Sequence, residues 1–213
     1  MDPPSVGDFL RAYNVLERDF HAILVLTLSN HLTPVAQIAR QASLQHGGKA
    51  QIAVLDSQQA GPGLGMLAQL GAQAILAGAS LANVQDHIRA AMTHIYTLIH
   101  PSNDGLVPTH AEAKEAELSP LLVLDEGRLT PYKQIRSRRH LLESFQEFIE
   151  EFETPQQIVL LRGRHSAIRS RPLREIAREQ FPQTAFSDME MPAPLARLFG
   201  LQATVMTVLE MPE

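Results

Sequence analysis

Two stretches of this chain repeat one local plan, and that plan limits the folds open to it. "HAILVLTLS" (His21 to Ser29) and "AQIAVLDS" (Ala50 to Ser57) are short runs rich in Ile, Leu, Val and Ala. Each stops at polar residues and passes straight into a helical pattern. Neither run alternates over any length, which suits strands covered on both faces. After the first, Val35, Ile38, Ala39 and Ala42 recur at helical spacing, with Thr33 placed as the N-cap and Pro34 as the first helical residue. Strand, polar turn and helix, given twice, predict parallel strands joined by right-handed crossovers. In such sheets ligands gather outside the carboxyl ends of the strands, so the hydroxyls and amides of "LSNHLT" read either as a helix cap or as a binding turn.

Around these units the chain reads as two domains, residues 1–93 and 94–213. "DFLRAYNVLERD" places Phe9, Leu10, Tyr13 and Leu16 on one helical stripe behind the cap candidate Ser5. "QQAGPGLGMLAQLGAQAILAGASLANVQDHIRAAM" reads as two Ala-rich helices divided near Gly78. Two strands alone make a thin sheet with an uncovered face or edge, which predicts that strands are absent from the start of this domain. From His94 the character changes. A strand and turn ("THIYTLIHPSND") and a polar helix ("VPTHAEAKEAELS") precede a hairpin around Asp125-Glu126-Gly127. An amphipathic helix ("HLLESFQEFIEEF"), a strand ("QQIVLLRG"), a helix ("PLREIAREQFP") and a last strand ("QATVMTVLEM") complete an α+β half.

Composition removes several function classes. With 213 residues, 45% of them hydrophobic, the chain buries a sizeable core. It has no cysteine, so disulfides, thiolate nucleophiles and Cys-based zinc sites are excluded. The start "MDPPSVGDFL" has no signal-peptide pattern and no apolar run reaches membrane-spanning length, which predicts a soluble cytoplasmic protein. A net charge of -5 argues against nucleic acid as a partner, yet ten of the eighteen Lys and Arg lie between Lys133 and Arg178. Arg136, Arg138 and Arg139, with Lys133, Arg162, Arg164, Arg169, Arg171 and Arg174, form either a docking surface for a phosphorylated ligand or acidic partner, or a solvated face neutralised by Glu143, Glu147, Glu150, Glu151 and Glu153.

No catalytic motif stands out. Gly-x-Ser-x-Gly, HExxH and a phosphate-loop Lys after "GPGLG" are all lacking, and the histidines form no i, i+4 pair, so no metal and no cofactor is expected. Gly61, Gly63 and Gly65 suit tight strand-to-helix packing or an anion, and Asp56 reads best as a cap on the helix that follows it.

Several stretches together resemble the DegV family of bacterial fatty-acid-binding proteins. "DPPSVGDFLRAY" is similar to the family's Thr-Ser-Gln-Pro-Ser-Pro-x-x-Phe segment, and "AILVLTLSNHLTPVAQIAR" to its strand ending in Ser-Ser-x-Leu-Ser-Gly-Thr-Tyr-Gln. "VLDSQQAGPGLGML" resembles its Asp-Ser strand end and Gly-Leu-Gly helix. "SPLLVLDEGRLTPYKQIRSRRHLLE" resembles its Lys-Pro-Ile-Leu-x-Leu-x-x-Gly hairpin and Arg-x-Arg segment. Asn30 stands for a Ser, Pro34 for the Gly and Val35 for the Thr, and "MPAPLARLFGLQATV" replaces a His-containing loop.

The resemblance implies an α/β, DegV-like two-domain fold, with a parallel α/β first domain lacking its N-terminal strands and an α+β second domain. It implies a non-catalytic protein that holds a fatty acid or similar amphiphile, the chain in a tunnel and the carboxylate at the strand end. Ser29 matches the family's first Ser, Thr33 its second, Ser5 lies near its early hydroxyls, and Asn30 completes the turn. A separate fatty acid kinase subunit is the implied partner. The alternative is an interaction or assembly module that has lost the ligand and uses its incomplete sheet to pair with another chain, a homo-oligomer included.

Overall fold

The computed structural model describes residues 3–107 and 119–211 and divides the chain into two compact units. The first comprises Met1–Thr93 with Glu126–Arg128, and the second His94–Asp125 with Leu129–Glu213. The polar helix expected over "VPTHAEAKEAELS" lies almost wholly outside the described residues.

In the first unit, helix α1 (Val6–Leu16) starts at a reciprocal cap: Asp8 N donates to Ser5 Oγ, while Ser5 N donates to Asp8 Oδ2 at 2.7 Å. Of the predicted stripe only Tyr13 is buried, and its hydroxyl donates to Ala39 O at 3.1 Å. That bond ties α1 to α2 (Val35–Gln45), whose Ala36, Ala39 and Ala42 are fully buried. Strands β1 (Ala22–Thr27) and β2 (Gln51–Asp56) pair in parallel from Ala22↔Gln51 to Thr27↔Asp56. Leu24 to Leu26 and Ile52 to Val54 are half-buried rather than covered on both faces, because this sheet has two strands among the described residues. Helices α3 (Pro62–Leu76) and α4 (Leu81–Met92) follow, divided by Gly78 at φ 85°. They pack closely at Gly71, where a Cβ would come within 2.8 Å of Ile88 Cδ1. The "GPGLG" glycines have other duties: Gly61 takes φ 55° ahead of α3, and around Gly65 there is open space.

The second unit is built on β3 (Ile95–His100), β4 (Ser119–Asp125), β5 (Arg128–Ile135), β6 (Gln157–Arg162), β7 (Ala185–Glu190) and β8 (Thr204–Leu209), in spatial order β5-β4-β3-β8-β6-β7. The β4–β5 turn has Glu126 at φ 45° and Gly127 at φ 80°, the paired positive φ values of a tight hairpin turn. β8 is buried along its whole length between antiparallel β3 and β6. α5 (Arg138–Glu150) and α6 (Ser170–Gln180) supply Leu141, Phe145, Phe148, Ile149, Leu173 and Ala177 to a core shared with Leu98, Leu121, Ile158, Leu160 and Met206. β6, α6 and the parallel β7 make one crossover unit. β7 and the short α7 (Ala193–Phe199) are additions to the elements read from sequence.

Candidate functional site

The strand end that the sequence singles out is a tight turn with an uneven polar economy. Leu32 N and Thr33 N both donate to Ser29 O, at 3.0 and 3.1 Å, which curls the chain before α2. Ser29 N donates to Gln59 O at 2.9 Å, and Ser57 N to Thr27 O at 3.2 Å, so the ends of β1 and β2 are laced together. Asp56 accepts Asn30 N and Gln58 N. It therefore locks the two strand ends and does not cap α3, whose N-cap position is Gly61 without any side-chain bond.

Ser29 is fully buried and its hydroxyl is already engaged. It donates to Gly127 O at 2.6 Å and accepts from His31 N at 3.2 Å. Gly127, with Ser29 in the same unit, is required twice over: its φ is 80°, and a Cβ there would fall 2.6 Å from Ser29 Oγ and 3.2 Å from Gln58 Cα.

Thr33 does not cap α2. The helix begins one residue later than predicted, at Val35, with Pro34 at the cap position and no side-chain cap bond. The bonds of Leu32 N and Thr33 N to Ser29 O close a turn of their own ahead of the helix, which leaves Pro34 in the cap position. Thr33 Oγ1 is buried with no hydrogen-bond partner, as are Thr27 Oγ1 and Asn30 Oδ1. Such atoms cost roughly 1 to 3 kcal/mol each when left unpaired. The first turn of α2 carries no acidic residue, and its leading amides lack the side-chain oxygen that commonly satisfies them. The two hydroxyls, Thr33 next to the uncapped, partially positive amides of α2 and Thr27 at the end of β1, can each donate to an anion, whereas Asn30 Oδ1 can only accept.

Ser5 stands apart from this group, its hydroxyl donating to Asp8 Oδ2 at 2.6 Å within the α1 cap. Thr27 is the site residue sequence reading passed over; its signal was its place as the last residue of β1, paired with Asp56 across the strand ends.

The basic residues of the second unit divide in two. Lys133 pairs with Glu147 at 2.6 Å, Arg139 with Glu143 at 2.7 Å, Arg164 with Glu190 at 3.3 Å and Arg171 with Glu175 at 2.8 Å. Arg162 meets Asp188 with two bonds of 2.8 and 3.0 Å, and Arg174 lies 3.8 Å from it. Burial works against the charge on Asp188, yet the hydrogen bonds from Arg162 and Ser170 and the nearby Arg charges hold its pKa below the ordinary value. Much of the neutralised face is thus real, but Arg136, Arg138 and Arg169 have no acidic partner among the described residues. Elsewhere in this unit, burial pushes His100 down to about 4, with Nε2 2.9 Å from Ser119 Oγ and Nδ1 unpaired.

Among the described residues no helix is long and apolar enough to cross a membrane. The profile of the family described as "Uncharacterised protein, DegV family" matches residues 2–106. A DegV domain-containing protein of Streptococcus pyogenes serotype M1 is 27% identical over 159 residues, 69% of this chain and 56% of the relative, so the chain spans little more than half of that protein's length. In fold, the chain is similar over 99% of its length to 78% of a Thermus thermophilus DegV family protein described by its fatty acid binding, with a TM-score of 0.82 at 21% identity. It is likewise similar over 98% of its length to 79% of a Eubacterium eligens DegV family protein loaded with heptadecanoic acid, with a TM-score of 0.81 at 15% identity. The chain is thus similar to the DegV family in the sequence of its first unit and has a DegV-like fold.

Proposed function

We propose that this protein binds a fatty acid without acting on it chemically, its carboxylate received at the end of β1 and its acyl chain running among the Ala- and Leu-rich helices of the first unit. The observation that carries the reading is the buried, unpaired hydroxyl of Thr33 next to the uncapped start of α2, with the unpaired Thr27 hydroxyl at the end of β1. Hydroxyl donors and free amides match a carboxylate, which accepts only. The fully buried Ala36, Ala39 and Ala42 keep bulk off the helix face that an acyl chain would follow. The fatty acid binding described for the Thermus and Eubacterium DegV family proteins, similar in fold to this chain, supports the ligand class.

Thr33 is the principal carboxylate contact in this reading, with the Asn30 side-chain amide beside it. Ser29 joins only by exchanging Gly127 O for the ligand, and Ser5 serves the α1 cap. The presented carboxylate would then be phosphorylated by a separate kinase subunit. Native mass spectrometry of protein purified from cells tests the binding itself. A bound fatty acid, or uptake of added fatty acid at one equivalent, is the expected result; no lipid carried and none taken up would refute the proposal.

A further inference from the structure

The ion pairs among the described residues of the second unit leave Arg138 and Arg169 without a carboxylate, and both line one cavity of about 420 Å³. Arg139 stands on its rim, already tied to Glu143. The rest of the lining is apolar: Leu142, Ala167, Ile168 and Pro172, with no acidic side chain. Ile168 is 2% exposed and Leu142 packs on the core, so the floor is fixed by the fold, and Arg138 from the start of α5 and Arg169 from the start of α6 complete the lining. An apolar floor under unneutralised cations complements a molecule with an anionic end and an apolar body. The volume suits a small molecule better than a protein segment.

We propose that this cavity binds a small organic phosphate monoester, its apolar part on Leu142, Ile168 and Pro172 and its phosphate shared between Arg138 and Arg169. A phosphate offers three acceptor oxygens and close to two charges, enough for two guanidinium forks at once, whereas one carboxylate is satisfied by a single fork. The site lies wholly within the second unit and is independent of the carboxylate turn in the first.

The test uses the full chain with its methyl groups labelled for NMR, titrated in parallel with hexyl phosphate, hexanoate, hexanol and inorganic phosphate. Hexyl phosphate should shift the Leu142 and Ile168 methyl signals and bind there at least about ten-fold more tightly than each of the other three, with the advantage falling as salt is raised. An Arg138→Gln/Arg169→Gln double variant, with its other core methyl signals unchanged, should lose at least about ten-fold of that affinity. No shift at Leu142 and Ile168, an equal affinity for hexanoate, hexanol or inorganic phosphate, or full binding by the double variant would overturn the proposal. Reading these two residues keeps the result separate from any ligand taken up in the first unit.

Discussion

Two polar loops of this protein look alike in sequence and differ in their bonding. In the second unit, Ser102 and Asp104 bond to each other, Asp104 Oδ2 accepts Leu201 N, Ser102 Oγ accepts Gln202 N and Ser102 N donates to Phe199 O. That cluster stitches the end of β3 to the end of α7, and its polar groups are consumed in holding the fold. In the first unit, the turn from Thr27 to Thr33 spends its backbone groups and Ser29 on structure but leaves three buried side-chain oxygens unpaired. A folded chain keeps such atoms when something else satisfies them. Hydroxyls in a loop are therefore no sign of a site in themselves; what sets this turn apart is an unpaired hydroxyl next to an uncapped helix start.

Breaking the satisfied loop should cost most. Gly200 sits at φ 99°, and a Cβ there would fall 2.0 Å from Ser102 Oγ and 3.0 Å from Ser102 O. Gly200→Ala should lower stability by about 3 kcal/mol, read as a drop in the urea midpoint. The neighbouring His100 supplies a pH signature. Its folded pKa of about 4 lies below the ordinary 6.5, so the unfolded chain takes up a proton that the folded one refuses. Stability should fall as pH drops from about 6.5 toward 4, by roughly 3 kcal/mol, and level off below. In His100→Gln the difference in urea midpoint between pH 7 and pH 5 should shrink accordingly. Ser29→Ala should then cost about 1 to 3 kcal/mol, because it leaves the buried Gly127 carbonyl without its donor. Stability unchanged by Ser29→Ala would blur the contrast between the loops.

The difference between the loops also marks how far the sequence could be read. The hairpin at Asp125-Glu126-Gly127 was legible because a two-residue turn demands positive φ, and Gly advertises it. The face of α5 was legible because Leu141, Leu142, Phe145, Phe148 and Ile149, with Phe152 just past the helix end, keep helical spacing; all are buried except Leu142, which is half-buried against the same core. β7 was missed because "AFSDME" is an edge strand with an exposed, polar pattern, and α7 because seven residues between Met191-Pro192 and Gly200 hold too little periodicity. At the turn, residue types pointed to the right place but could not rank its members. Ser29 looked strongest in sequence, yet its hydroxyl is committed to Gly127. Thr33 read as a cap, yet the chain curls away one residue early. Which hydroxyl stays free depends on a long-range partner, and no local pattern encodes that.

Thr33→Val gives the smallest change in stability and the clearest sign. Replacing an unpaired buried hydroxyl by a methyl of similar shape should raise stability by about 1 kcal/mol, in contrast to the losses expected elsewhere. The same variant should bind fatty acid less well, because a hydrogen bond to a charged carboxylate is worth roughly 1.5 to 3 kcal/mol. The most direct measurement is a titration of wild type and Thr33→Val with carboxyl-labelled myristate, following the carboxyl signal by NMR. A bound signal in the wild type, with affinity at least about ten-fold weaker and an altered carboxyl shift in Thr33→Val, is the predicted result. Equal affinity and an unchanged carboxyl signal in the two proteins would contradict the account.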